Sequence, residues 1–445
     1  MYRATLHLFR MTGLGLCLTA LIAAAPAKAA QLLRDADIEY ALKQLGIPIL
    51  RAAGLSPNQV RILLINDNTL NAFIVDTSHI FIHSGLLSKL DSAAQIQAVI
   101  AHEAAHIANG HIARRMGNIR TARTAAGLGL VLAAAAAAAG GGQAAAGIAI
   151  GTQTSAMRSF LAHTRAEEAS ADISSIRYLV QAGVDSQGAI EVQDLFRGQV
   201  ALSERRQDPY MRSHPLTRDR LRALKGLVAG VSANTAPDPT ANYWFARAKG
   251  KLTAFTRAPS WTLRRADQSG SADIAQMRKA VAYHRQSDLR NALANIDGAI
   301  SMRPNDPFLR ELKGQILLES RRASDAVAVY SAAARLAPRE PLVLGGLGRA
   351  HLAAGNAGEA VRVLETARGR DFGDARILRD LSVAYAKTGK TAMASLVTAE
   401  RYALQGRLKD AAIHAKRAEG ALSRGSGPWQ RAQDVLIAAQ RATQR

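Results

Sequence analysis

The hydrophobic pattern begins with an amphipathic stretch at residues 35–45. Ile38, Leu42 and Leu45 share one stripe at helical spacing, and Gly46 and Pro48 close it. Three short apolar runs follow: Arg61 to Ile65, Ala72 to Val75 and His79 to Ile82, the last two separated by Asp76-Thr77-Ser78. Runs of this length bounded by turn residues predict strands, here a small antiparallel sheet. From Asp91 to Met116 there is no proline, and Ser92 with Gln95 makes a capping box ahead of Ile96, Ala98, Val99 and Ile100. That predicts a helix, and a second is predicted from Thr164, where Thr164 and Glu167 repeat the box.

Past residue 275 the pattern repeats itself. Pro304 and Pro338 are 34 residues apart, as are Pro307 and Pro341, Gly314 and Gly348, Ala326 and Ala360, Ala299 and Ala333, and Ala292 and Ala326. A period of 34 with small residues at fixed offsets predicts tetratricopeptide hairpins, stacked into a solenoid whose concave face binds protein segments. Hairpins around Leu378–Lys387, Met393–Leu404 and Leu408–Leu422 fit the period less well, as terminal repeats do. The expected fold is therefore mainly α. A domain of helices plus a small antiparallel sheet is expected over 30–230, and an α-solenoid over 275–445. Residues 231–274 mix Gly, Ala, Pro and Ser, and read as a linker anchored by Tyr243, Trp244 and Phe245.

The chemistry lies on the first long helix. His102-Glu103-Ala104-Ala105-His106 reads H-E-x-x-H, which puts two imidazoles one turn apart on one helix face. A zinc ion can take one nitrogen from each, with Glu103 beside any water on that metal as general base, so 30–230 is expected to be a zincin-like peptidase domain. A third ligand is needed. His111 lies five residues past His106, about 140° round a continuous helix, and reads as a surface or packing histidine. Gly110 and His111 also fall at the wrong offsets for the three-histidine metzincin pattern. Glu168 and Asp172 share a face of the second helix, so Glu168 can bind metal while Asp172 accepts the free N–H of a ligand histidine. Glu167 reads as an acidic first-turn residue complementing the helix dipole. Pro215 holds His214 out of helix. From there His214 can stabilise an oxyanion, close the zinc's open position, or be an ordinary loop histidine. His79, His83 and His163 have no such partner pattern.

Together these elements resemble the zinc metallopeptidase family of HtpX and the CAAX prenyl proteases. There the helix H-E-x-x-H is followed by E-x-x-A-D, here Glu168 to Asp172, preceded by an Arg matching Arg165. Asn71-Ala72-Phe73 is similar to that family's strand beside the active site, and His214-Pro215 to a His-Pro element of its periplasmic, BepA-type branch, which carries tetratricopeptide repeats. The resemblance implies one zinc per chain on His102, His106 and Glu168, with Glu103, Asp172 and His214 catalytic. His214 can also bind the zinc and restrain activity. It further implies a periplasmic zinc endopeptidase of misfolded or stalled envelope and outer-membrane proteins, its repeats docked to the outer-membrane assembly machinery. The alternative is a chaperone or adaptor of that assembly with a latent zinc site.

Composition adds localisation. Arg3 and Arg10 precede an uncharged, mostly apolar stretch from Met11 to Ala25, and Ala27-Lys28-Ala29 fits a cleavage site, so 1–29 read as a secretory signal. The only cysteine, Cys17, lies inside it, so no disulfide is available beyond it. The net charge of +22 is uneven: residues 31–240 hold 20 basic against 17 acidic residues, and residues 241–445 hold 34 against 18. A secreted chain without nucleic-acid motifs makes nucleic acid an unsuitable partner. An anionic membrane surface or an acidic protein fits better. Residues 125–150 carry no charge and are long enough to span a bilayer once. A single crossing would separate His102 and His106 from Glu168, so the stretch reads as a hairpin broken at Gly140-Gly141-Gly142. It packs near the site, gates it, makes a peripheral membrane contact, or is an ordinary buried helix pair.

Overall fold

The amphipathic stripe at the start forms helix α1 (Ala36–Ala52), with Ile38, Ala41, Leu42, Leu45 and Ile49 all buried. Its N-cap Asp35 accepts from the Ile38 N–H. These elements belong to a computed structural model that describes residues 32–114, 164–199, 206–231 and 236–443. The signal at 1–29 and the Ala-rich stretch at 125–150 lie outside the described residues.

Four strands form one sheet: β1 (Leu32–Leu33), β2 (Arg61–Ile65), β3 (Ala72–Ile74) and β4 (His79–His83). Their order is β1-β2-β4-β3. The expected antiparallel sheet is corrected to a mixed one, because β2 and β4 run parallel, Ile62 opposite Ile80 and Leu64 opposite Ile82. The outer pairs, β1 with β2 and β3 with β4, are antiparallel. The reason lies in β4, which is buried along its whole length and takes an interior place. A strand covered on both faces reads as one apolar run and carries no signal of its direction. Strand β3 is left at an edge.

Behind the sheet lie α2 (Ser84–Lys89) and α3 (Ala93–Ala108). The Ser92 hydroxyl caps α3 by accepting from Gln95 N–H. The Gln95 side chain accepts from the Asp91 N–H, one residue upstream of the cap itself. Against α3 pack α4 (Arg165–Gln181) and α5 (Gln187–Phe196). Thr164 and Glu167 form both bonds of the capping box at the start of α4. After α6 (Pro209–Ser213) and α7 (Arg218–Val231) comes α8 (Pro239–Thr256), which packs on α1 and α3, and then the short α9 (Pro259–Arg265). One apolar core runs through these elements, from Ile38 in α1 to Leu252 in α8.

The rest is helical hairpins. They run α10 (Ala272–Arg285), α11 (Leu289–Met302), α12 (Pro307–Glu319), α13 (Ala323–Leu336), α14 (Pro341–Ala353) and α15 (Ala357–Arg370). Then follow α16 (Ala375–Lys387), α17 (Thr391–Leu404), α18 (Leu408–Ala421) and α19 (Gly427–Thr443). The repeating alanines explain the period, since Ala292, Ala299, Ala326, Ala333, Ala360 and Ala367 are all fully buried. The Tyr330 ring lies where a Cβ on Gly314 or Gly346 would go, so glycine is what lets α13 close against α12 and α14. Asp306, Glu340 and Asp374, again 34 apart, each cap the helix that follows.

Two of those caps, Asp306 and Asp374, also reach the N-terminal half. Arg247 on α8 is buried between Asp37 at 2.7 Å and Asp306 at 2.5 Å. Lys251 lies 2.9 Å from Asp35 and 3.7 Å from both Asp37 and Glu311. Arg34 meets Glu39, Asp371 and Asp374 within 3.4 Å. Arg61 joins Glu39 and Asp371. Residues 239–256 thus connect the halves as a packed, ion-paired helix.

Candidate metal centre

Helix α3 brings His102, Glu103 and His106 to one end of the core, and all three are buried. Helix α4 faces it with a polar buried stripe: Glu168, Asp172, Ser174 and Ser175. A stripe of that kind is stable only where each polar group finds a partner. Asn109 at the end of α3 binds Ser170 and accepts from Ser174, which pins the two helices together. The third contributor is the turn after α6. Its His214 N–H donates to the Tyr210 carbonyl at 2.8 Å. The Tyr210 ring lies between the rings of Phe196, 4.7 Å away, and His214, 4.6 Å away. The Tyr210 N–H in turn donates to the Leu70 carbonyl, just before β3.

The four side chains His102, His106, Glu168 and His214 therefore offer ligand atoms that all lie within 4.8 Å of one another. His102 Nε2 is 3.1 Å from His106 Nε2, 3.5 Å from Glu168 Oε2 and 3.3 Å from His214 Nδ1. Glu168 Oε1 is 3.3 Å from His106 Nε2 and 2.9 Å from His214 Nδ1. The edge of a tetrahedron around zinc with bonds of 2.0–2.1 Å is about 3.3 Å. The donor set and its spacing therefore suit a metal of zinc's preferences.

Around this set lie the groups that orient it. Asp172 Oδ1 lies 3.2 Å from His102 Nδ1. Glu103 is fully buried, with neither carboxylate oxygen hydrogen-bonded, and its Oε1 is 3.4 Å from His214 Nε2. Burial pushes its pKa up, against the pull of His214 and His102. Burial opposes charge on His102 too, yet the Asp172 and Glu168 carboxylates hold its pKa up at about 10. Burial drives His106 well below the usual histidine value. Burial would raise Glu168, but His214 and Arg220 hold it well below the carboxylate range.

Two residues at the site went unrecognised in the sequence. Arg220 on α7 grips Asp172 through Nε at 2.6 Å and Nη2 at 2.9 Å, and its Nη1 contacts Glu168. Its signal was the arginine six residues past His214, which in an amphipathic helix looks like surface. His111 is not on the surface: it is 1% exposed, with Nδ1 2.8 Å from His106 Nδ1. Helix α3 ends at Ala108, and Gly110 at φ 70° reverses the chain, so the helical-wheel angle drawn through His111 does not apply. The other histidines are elsewhere. His79 pairs with Asp76 at 2.9 Å and His83 with Thr69 at 2.9 Å, while His163 lies outside the described residues.

Residues 33–228 match the model of peptidase family M48, and residues 317–381 match a tetratricopeptide repeat model. The chain is 24% identical over 393 residues to the beta-barrel assembly-enhancing protease of Escherichia coli (strain K12), covering 86% of this chain and 79% of that one. It is 26% identical over 283 residues to a putative beta-barrel assembly-enhancing protease of Vibrio cholerae, covering 56% and 54%. Among solved structures it is similar to YrrB, described as a TPR protein with an unusual peptide-binding site, at TM-score 0.32 and 18% identity, covering 39% of this chain and 91% of that one. It is also similar to MamA, at TM-score 0.31 and 18% identity, covering 37% and 97%. The chain thus carries a peptidase family M48 domain, a metallopeptidase, followed by C-terminal tetratricopeptide repeats.

Proposed function

We propose that this chain is a periplasmic zinc-dependent endopeptidase that degrades misfolded or stalled envelope and outer-membrane proteins. The observation that carries the reading is the buried four-donor cluster with an unbonded Glu103 carboxylate beside it. His102, His106 and Glu168 would hold one zinc ion per chain, with His214 as a fourth donor at rest. When bound, zinc supplies Lewis acidity toward a carbonyl oxygen and lowers the pKa of a water to about 7. Glu103 accepts the proton of the attacking water and returns it to the leaving amine. Burial raises its pKa, the direction that makes a carboxylate a better proton acceptor. Asp172 orients His102, and Arg220 holds Asp172 and Glu168 in place. Strand β3 has a sheet edge, and an extended segment pairing there would be read through its main chain, so unfolded substrate with loose sequence preference is expected.

His214 would keep the enzyme latent. Its Nδ1 sits at donor spacing to His102 and Glu168, and no ligand candidate is more than 5% exposed. A scissile carbonyl can enter only after His214 withdraws, so removing its imidazole unlatches the site. The periplasmic placement rests on the expected signal at 1–29 and on the relatives' printed names. Docking of the repeats to the outer-membrane assembly machinery, with peripheral membrane contact through 125–150, belongs to the same reading.

The latent site also favours a second reading, a chaperone or adaptor of outer-membrane protein assembly. Both are tested with purified zinc-loaded protein and an unfolded outer-membrane barrel protein. We expect slow fragmentation by wild type, faster fragmentation by His214→Ala and none by Glu103→Gln. If neither wild type nor His214→Ala cuts, the peptidase reading fails and the adaptor reading stands.

A further inference from the structure

Buried cations in this molecule come with counterions. Among the described residues Arg220, Arg247, Lys251 and Arg278 are buried. Arg220 has Glu168 and Asp172, Arg247 has Asp37 and Asp306, and Lys251 has Asp35, Asp37 and Glu311. Arg278, 7% exposed, has no carboxylate within the 4 Å of an ion pair. Its Nη1 donates to the Ser269 hydroxyl at 2.6 Å and to the Arg265 carbonyl at 3.1 Å, and its Nε has no hydrogen-bond partner. Burial alone lowers its pKa, with no compensating anion. It is covered but shallow, under a surface made of more arginine.

That surface centres on Trp261 of α9. The Arg265, Arg257 and Arg278 guanidinium carbons lie 4.9, 6.0 and 6.0 Å from the indole centroid. Arg285 of α10 is fixed alongside, donating to the Ala254 carbonyl at 2.8 Å and to the Arg257 carbonyl. Arg257, Arg265 and Arg285 are exposed, and among the described residues none of them has a carboxylate within ion-pair distance. The acidic neighbour Asp267 is engaged by Lys279 at 2.7 Å. Three arginines around one tryptophan, with Arg285 on the Arg257 carbonyl beside them, make a surface of guanidinium forks in which Arg278 and Arg285 are held by backbone carbonyls. Such forks match carboxylates better than a diffuse charge does.

We propose that the Trp261 patch, with Arg257, Arg265, Arg278 and Arg285, docks an acidic segment of a partner protein. The site is separate from the metal centre and does not depend on the peptidase reading. A polypeptide fits better than a bilayer surface for two reasons. The indole is partly covered, and none of the exposed large apolar side chains lies in the patch, so nothing there would insert among acyl chains. The Arg278 and Arg285 guanidinium groups are also fixed by backbone carbonyls, and fixed donors discriminate spaced carboxylates.

The test titrates the full chain with a Glu-rich peptide, following tryptophan fluorescence and anisotropy of the labelled peptide. Parallel arms use phosphatidylglycerol vesicles and inorganic phosphate. Arg257→Glu with Arg265→Glu is compared with Arg290→Glu and Arg417→Glu, which carry the same charge change at exposed positions elsewhere. Circular dichroism checks the fold, and Arg257→Gln with Arg265→Gln is a milder second pair. The expected result is peptide binding weakened at least about tenfold by the patch pairs and less than about twofold by the control pair, with a shallower salt dependence. Equal loss in patch and control pairs overturns the proposal in favour of net charge alone. Patch-dependent binding of vesicles or phosphate without patch-dependent peptide binding overturns it too.

Discussion

Among the described residues, two clusters of buried charge are built oppositely. At the joint between the halves, Arg34, Arg247 and Lys251 are each surrounded by carboxylates, so positive and negative groups close on themselves. At the metal centre three imidazoles and one carboxylate gather ligand atoms that all lie within 4.8 Å of one another. The joint holds together without help. The donor cluster is an arrangement that a metal ion would complete, and it is kept in place from behind by Asp172, Arg220 and His111.

Stripping metal is the strongest way to separate the two. A chelator should abolish proteolysis. It should also lower stability by about 4 kcal/mol relative to a zinc level near a thousand times its dissociation constant. Activity and the thermal midpoint with and without chelator are the readouts. An unchanged midpoint would mean that the donor cluster, like the joint, is self-sufficient. Breaking the joint comes next. Arg247→Met leaves Asp37 and Asp306 buried without their cation and should cost about 3–4 kcal/mol in urea unfolding. Adding Asp37→Leu should recover part of that loss. No recovery would mean that Arg247 acts through packing, not charge.

The sequence made the metal-centre residues easier to read than the joint, for physical reasons. The i, i+4 spacings of His102 with His106 and of Glu168 with Asp172 lie within single helices, where position on the face follows from count alone. The repeat period is legible because helices that cross closely demand alanine or glycine at fixed offsets. Arg34 meets Asp371 across 337 positions, and Arg247 meets Asp306 across 59, with no periodicity to connect them. Of the two readings of His111, packing holds and surface does not, because the wheel was drawn through Gly110, where the helix had already ended. The parallel register of β2 and β4 was hidden by the uniform apolarity of β4.

Smaller effects sharpen the contrast. Gly346→Ala would push a methyl group into the Tyr330 ring and should cost about 2 kcal/mol, read by thermal unfolding. A change under about 0.5 kcal/mol would mean that α13 and α14 can slide apart, as loosely packed repeats do. Glu340 sits at the joint with its pKa raised to about 7, first by burial and then by Glu39. Unfolded, it ionises near 4.5. Between those values the folded chain keeps a proton the unfolded chain has lost, so this contribution to stability falls as pH rises through that window. Glu340→Gln keeps the cap on α14 and should flatten the decline, by about 1–2 kcal/mol between pH 5 and 8 after allowing for partial exposure. Parallel pH profiles of the two proteins would contradict the assignment.

The caps at Asp306, Glu340 and Asp374 have a consequence for how such a chain can change over time. Asp306 and Asp374 also bind the peptidase half, so three successive repeats are held in phase with it. An insertion inside that span would shift every later contact out of phase. Among the described residues no ion pair ties the hairpins beyond Lys387 to the peptidase half, so whole hairpins could be gained or lost at the far end. The near repeats behave as a fixed mount, and the distal ones as interchangeable parts whose number sets how far the chain reaches.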